Sequence, residues 1–148
     1  MMEKSVKNIF VAGAISPQMI MDGISKHANK TNIGAHSLFL GQIRADEIGD
    51  KTVSAIEYTA NTELALVQMT TIRENIFEKY PLTCLHVYHS LGSIKVGEIC
   101  FFVFVSSERR KAAIAACEEL VERVKKELPI WGKEIFTDDS YQWKENKS

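Results

Sequence analysis

The sequence predicts a single α+β domain with mostly antiparallel strands and two long helices, and three observations carry that prediction. Two stretches keep a helical apolar period. Short β-rich runs bounded by turn residues lie around them. No internal repeat, low-complexity segment or linker interrupts the chain. With 148 residues, 45% hydrophobic and 25% charged, the chain has material for one core without covalent staples, so the domain is taken as 1–148.

The first predicted element is a strand. Lys4 and Lys7 precede a short apolar run, Ile9 to Ile15, that superficially resembles the start of a secretory signal. The run is short and leads into polar, helix-like sequence, which favours a strand. Ser16-Pro17 then supplies a cap and a first-turn proline, and Met19, Ile20, Ile24 and His27 follow at helical spacing, predicting a helix from Pro17 to Asn29.

Gly34 to Ile43 and Thr52 to Thr59 read as strands joined by a long exposed loop, Arg44 to Lys51, that contains Gly49-Asp50. Asn61 is placed to cap a helix whose apolar positions Leu64, Val67, Ile72 and Ile76 continue until Tyr80-Pro81 stops it. Thr83 to His89 and Glu98 to Ser106 are predicted strands, separated by turns at Leu91-Gly92 and Val96-Gly97. The second long helix spans Glu108 to Glu127, with Ala113, Cys117, Leu120, Val124 and Leu128 on one stripe and Pro129 at its end. Ile130 to Phe136 and Tyr141 to Trp143 flank a turn at Asp138-Asp139.

Composition excludes several functions. A formal charge of -1 gives no field for nucleic acid or an anionic membrane surface, so any anion site must be a local cluster. No apolar segment approaches the roughly 20 residues of a membrane span. Cys84, Cys100 and Cys117 sit far apart in apolar stretches without a C-x-x-C, which predicts reduced core thiols in a cytoplasmic protein. No G-x-G-x-x-G, Walker loop or G-x-S-x-G elbow is present. His86 and His89, three apart on a strand, point to opposite faces, and His36 lies on another strand, so no metal site is expected.

Two places could hold chemistry. Ser107-Glu108-Arg109-Arg110-Lys111 puts three cations at a helix start that already carries partial positive charge. Free N–H groups and guanidinium forks there match a phosphate; the same pattern also fits a solvated cluster eased by Glu108. At the other end of this helix, Lys125 and Lys126 precede Leu128-Pro129-Ile130-Trp131-Gly132-Lys133-Glu134. A lysine held against aromatic and proline walls would have a lowered pKa and could act as nucleophile, proton carrier or oxyanion partner. Lysines at a helix C-terminus are also simply favoured by the dipole, and Trp131 fits equally as core.

Arg110 and Lys125 are fifteen residues apart, about 22 Å along a helix, so they cannot grip one small ligand within a chain. If both serve one site, the arginines come from a neighbouring copy, which makes a homodimer with two composite sites. Arg44, just after a strand, begins the polar loop, a usual position for a binding residue and equally for an exposed arginine.

In order and spacing, five pieces together resemble the catalytic (large) subunit of molybdopterin synthase over 34–143. They are Gly34-Ala35 with Phe39-Leu40-Gly41-Gln42-Ile43-Arg44; Ile56-Glu57-Tyr58; His89-Ser90-Leu91-Gly92 with Val96-Gly97-Glu98; Ser107 to Ala116; and Lys125 through Pro129-Ile130-Trp131 to Lys133-Glu134. The resemblance implies an α/β-hammerhead fold and a central homodimer within a heterotetramer. A ubiquitin-like sulfur-carrier small subunit binds at each end, its C-terminal Gly-Gly tail entering the active site as a thiocarboxylate. The implied reaction is stepwise transfer of two sulfurs to cyclic pyranopterin monophosphate, giving the molybdopterin dithiolene of molybdenum cofactor biosynthesis, with no cofactor of the enzyme's own.

Residue by residue, Lys125 matches the family's central active-site lysine, and Lys133 is the candidate second catalytic lysine. Gln42, Ile43, Arg44, Arg109, Arg110, Gly132, Lys133 and Glu134 join Lys125 at implied substrate-binding positions, Arg110 being supplied across the dimer. Three departures stand out: Arg109 replaces a family histidine, Gly132 replaces a lysine, and Ser90 replaces a common basic residue. Arginine cannot transfer protons as histidine does near neutral pH, and Lys133 can stand in at 132 only if the backbone bulges. The alternative implied by these losses is a non-catalytic paralogue that binds the carrier or a phosphorylated metabolite.

Overall fold

The computed structural model describes residues 8–145; Lys4 and Lys7 lie outside them. Within that span the chain forms eight strands and three helices, an α+β arrangement as predicted.

β1 (Phe10–Ala12) is the core of the first apolar run, and α1 (Pro17–Ser25) follows, Ser16 capping it by accepting from the Met19 N–H. This helix is shorter than predicted: Lys26 closes it and residues 26–29 form turns, so His27 lies just beyond its end. β2 (Ala35–Gln42) leads to a hairpin of β3 (Glu47–Ile48) with β4 (Lys51–Ala60). The expected long loop is thus partly ordered, with Gly49-Asp50 at its tip. Asn61 caps α2 (Thr62–Lys79) by accepting from the Leu64 N–H.

The largest departure is β5 (Leu82–Lys95), a strand of 14 residues where the sequence predicts a strand over Thr83 to His89 that ends before a Leu91-Gly92 turn. Leu91-Gly92 is no turn, because the strand continues and changes partners. Its first part pairs with β6 (Ile99–Ser107), residues 89–91 with β1, and residues 92–95 with β4. Gly92 takes a positive φ of 94° at this handover, which reads in sequence like a turn signal. The Val96-Gly97 turn is real and returns the chain into β6.

α3 (Arg110–Glu127) starts two residues later than expected, with Arg109 at its cap. β7 (Ile130–Phe136) and β8 (Tyr141–Trp143) end the fold around the predicted turn, where Asp139 has a φ of 69°. The sheet order is β2-β6-β5-β4-β7-β8, with β1 beside β5 and β3 beside β4; only β1 pairs parallel.

β6 lies inside the sheet between β2 and β5 and is covered on both faces, which explains its unbroken apolar run. Phe101, Val103 and Val105 face the main core with Met69, Ile72 and Ile76 of α2 and Ala116, Cys117, Leu120 and Val124 of α3. Phe102 and Phe104 face the other side, packing with Ile15 and Ile20 under α1. Cys84, Cys100 and Cys117 are free and buried. No helix among the described residues is long and apolar enough to cross a membrane.

Candidate active site

The last turn of α3 points Lys125 into a slot where the two halves of the sheet meet. Tyr58 of β4, His89 of β5, Gly132 of β7 and Lys144 after β8 line it, with Val124, Leu128 and Ile130 as apolar wall. The cavity is about 80 Å³ and no carboxylate lines it.

Backbone pairing builds this convergence. Tyr58 stands opposite Gly92 on one side and Gly132 on the other. A side chain at 132 would bring its Cβ within 3.1 Å of both the Tyr58 ring and Ile56, a tight contact that glycine relieves. Lys144 is held by its own N–H, which donates to the Gly132 carbonyl at 2.8 Å.

Around the lysine the polar groups are desolvated and ordered. The His89 ring meets Tyr58 edge-on with centroids 4.8 Å apart. Its Nδ1–H donates to the Ser90 carbonyl at 2.8 Å, which leaves Nε2 with its lone pair. Burial drives the His89 pKa down to about 4, aided by Lys125 and opposed by the bond to Ser90, so the ring is neutral near pH 7. Burial likewise raises the Tyr58 hydroxyl and the Cys100 thiol; these two groups meet at 3.8 Å, and the Cys100 thiol reaches the Gly41 carbonyl at 3.5 Å.

Lys125 feels opposing effects. The C-terminal dipole of α3 favours its charged form. Partial burial of the ammonium outweighs this, and Lys144 and then Arg44 add like charge, so its pKa is lowered from that of a free lysine. Although the residue as a whole is open to solvent, Nζ stands 5.8 Å from the Phe101 ring centroid. The expected aromatic and proline wall is therefore Tyr58, His89 and Phe101 rather than Trp131 and Pro129; Trp131 is 51% exposed.

The other expected residues divide. Gln42 ends β2 at the surface, and Ile43 is buried, its N–H donating to the Glu98 carbonyl. Arg44 is exposed, paired with Asp46 at 3.2 Å, and close enough to act on Lys125. Glu134 is buried beside the slot and accepts from Gln142 at 2.9 Å.

Lys133 does not enter the slot. The β4–β7 ladder runs without a bulge from Ala55 to Ala60, so Lys133 faces away from Gly132. There it pairs with Glu57 at 3.2 Å and lies 4.5 Å from the Tyr141 ring centroid. The lysine beside Gly132 in this chain is Lys144.

Arg109 and Arg110 stand exposed at the far end of α3, and Arg109 caps the helix without a side-chain bond. Fifteen residues of continuous helix separate Arg110 from Lys125, about 22 Å, so one chain does not bring them together. Tyr58 and His89 belong to pieces quoted above and were not singled out as site residues; Cys100 and Lys144 carried no sequence signal. A separate group, His27, Cys84 and His86, clusters on the α1 side of the sheet, where no metal-ligating cluster was expected.

A larger hollow of about 860 Å³ lies between α2 and β5, but it holds no comparable convergence of reactive groups. Its Arg73 already donates to the Leu85 carbonyl at 2.8 Å and lies over Phe77.

A small α+β domain that desolvates one lysine among hydrogen-bonding groups, with a second lysine and no carboxylate lining the slot, defines a lysine-centred site for an anionic ligand. The chain belongs to the MoaE protein family, which matches residues 14–127.

It is 33% identical over 115 residues to the molybdopterin synthase catalytic subunit of Pyrococcus abyssi, covering 78% of this chain and 76% of that one. It spans 78% of the Aspergillus oryzae relative of the same name and 31% of the longer Drosophila willistoni one. The crystal structure of molybdopterin synthase from Staphylococcus aureus superposes with a TM-score of 0.81 at 28% identity, covering 97% of this chain and 99% of that one. A chain in the complex of subunits 1 and 2 of the Helicobacter pylori molybdopterin-converting factor shares the fold, with a TM-score of 0.79 at 19% identity over 94% of this chain and 90% of that one.

Proposed function

We propose that this protein is the catalytic subunit of a cytoplasmic molybdopterin synthase. It transfers sulfur from a thiocarboxylated ubiquitin-like carrier to cyclic pyranopterin monophosphate and forms the molybdopterin dithiolene. The observation that carries this reading is the slot around Lys125: narrow, walled by apolar groups, faced by Lys125 and Lys144, and lined by no acid.

A slot of about 80 Å³ is far below the roughly 300 Å³ at which ligand pockets begin. It suits an extended tail without side chains, such as a carrier's C-terminal Gly-Gly, whose thiocarboxylate is anionic. Lys125 engages the carbonyl of that tail, its lowered basicity making the neutral amine accessible. Lys144 supplies the second cation in place of Lys133. His89, neutral with Nε2 unprotonated, and Tyr58 hold the polar wall.

The pterin substrate then lies at the mouth, with Arg44 at its edge and a phosphate site made by Arg109 and Arg110 of a second copy. This requires a homodimer with a carrier at each end. No cofactor or metal enters the transfer; the enzyme supplies positioning and charge.

The test mixes the purified protein with a thiocarboxylated carrier and cyclic pyranopterin monophosphate and measures molybdopterin. Wild type forms product, and Lys125→Ala, still folded by circular dichroism, loses at least about 100-fold in rate. Near-normal turnover in Lys125→Ala overturns the assignment of that lysine; carrier binding without product from wild type overturns the catalytic reading.

A further inference from the structure

On the α1 side of the sheet, away from Lys125, three metal-type ligands converge. Cys84 and His86 alternate on β5 and so share one face, while Leu85 and Val87 between and beyond them enter the main core. His27 comes from the turn after α1. The His27 Nε2, a His86 ring nitrogen and the Cys84 Sγ offer ligand atoms that all lie within 4.8 Å of one another. His27 and Cys84 are both buried, at 8% and 7% exposure.

We propose that His27, Cys84 and His86 form a binding site for a zinc ion that clamps the turn after α1 to β5.

Three observations support it. The His27 and His86 Nε2 atoms are 3.2 Å apart. Two imidazole nitrogens on one tetrahedral zinc, each at about 2.0–2.1 Å, stand roughly 3.3 Å apart, so the pair already has the spacing of a bidentate ligand set.

Next, the His27 Nδ1–H donates to the Gly23 carbonyl at 2.7 Å, which fixes the ring and turns its Nε2 lone pair toward the cluster. Metal-bound histidines are usually held by such an outer bond. Finally, the ligands stand on rigid backbone. Cys84 and His86 are in register with Ser106 and Phe104 of β6, and the His27 turn is closed by N–H bonds to Ile24 and from Lys30.

The donor set selects the metal. Two imidazoles and a thiolate suit zinc and neighbouring late metals, and they disfavour calcium and magnesium, which take oxygen ligands. The sulfur already receives a cation, since Lys30 Nζ donates to it at 3.0 Å. Lys30 is an exposed side chain that can swing into solvent when zinc takes its place.

On binding, Cys84 releases its proton to solvent and the His86 ring carries its proton on Nδ1, leaving Nε2 for the metal. A water completes the fourth position. His36 is a neighbour rather than a ligand: its ring centroid is 6.4 Å from that of His27, and its Nδ1 bonds the Ser106 hydroxyl at 2.7 Å.

The test uses untagged, reduced, metal-free full-length protein titrated with Co²⁺ and then with Zn²⁺. One equivalent of Co²⁺ should bind with a thiolate-to-cobalt charge-transfer band and tetrahedral d–d bands, and Zn²⁺ should displace it. Cys84→Ser should abolish the charge-transfer band, and His27→Gln and His86→Gln should each weaken binding by more than about ten-fold, while Cys117→Ser keeps it. Zn²⁺ should raise the thermal midpoint of wild type.

A wild-type titration without saturable one-equivalent binding overturns the proposal whether or not the variants fold. So does a sulfur band that survives Cys84→Ser. The readouts do not depend on sulfur transfer, so their failure is separate from failure of the synthase reading.

Discussion

At the C-terminal end of α3, Lys125 sits among Tyr58, His89 and Lys144 with its basicity lowered by burial. At the N-terminal end, Arg109 and Arg110 stand in solvent at a helix start that disfavours cations. One end is a formed pocket within the chain; the other is an exposed cluster of cations. The difference matters because a rigid helix keeps its two charged ends about 22 Å apart, so under the proposed function the arginines reach a Lys125 slot only from a second copy.

The comparison breaks most sharply in a mixed dimer. Lys125→Ala and Arg110→Ala homodimers should each lose activity, the second mainly through weaker substrate binding. A dimer with one copy of each should recover, because one of its two composite sites then has both intact residues. Recovery from near zero to about half of wild type per mixed dimer is the expected result, read by molybdopterin formation after subunit exchange. No recovery would place both residues in the same copy's site, against the helix geometry.

Much of the fold was legible before the structure. The caps at Ser16 and Asn61 and the apolar stripe through Ala113, Cys117, Leu120 and Val124 fell where residue chemistry put them. β5 misled because Gly92 looks like a turn and is a point where a long strand changes partners, a tertiary event that no local pattern records. Lys125 was legible from its place at a helix end beside an apolar run and from the resemblance. Lys144 was not, because only the backbone bond to Gly132 brings the tail beside the slot. The His27 cluster is not legible from His86 and His89, which point to opposite faces; His86 meets Cys84, two residues away on the same face, and only the turn after α1 brings His27 to them.

A second, smaller effect tests how dry the finished end is. His89 is held near a pKa of about 4, below its unfolded value of 6.5, so the folded state resists a proton that the unfolded chain accepts. Its contribution is present in full above pH 6.5 and is lost as pH falls through 4, amounting to roughly 3 kcal/mol. Urea unfolding at pH 7 and pH 4 should show a smaller loss of stability in His89→Gln than in wild type. Equal losses would mean that His89 is not desolvated in solution.

The smallest effect separates the two faces of β7. Lys144 is a like charge that helps lower the pKa of Lys125, second to burial, whereas Lys133 is paired with Glu57 on the opposite face. Lys144→Met should let the Lys125 pKa climb back toward that of a free lysine. The rising limb of the pH–rate profile, which follows deprotonation of Lys125, then moves to higher pH, and the rate near pH 7 falls by less than about ten-fold. Lys133→Met should leave the limb in place, since it removes only a half-exposed ion pair and an aromatic contact. The reverse pattern, a limb moved by Lys133→Met and not by Lys144→Met, would show that β7 turns its other face to Lys125 in the working complex. Gly132 would then be serving as the bulge that such a turn requires.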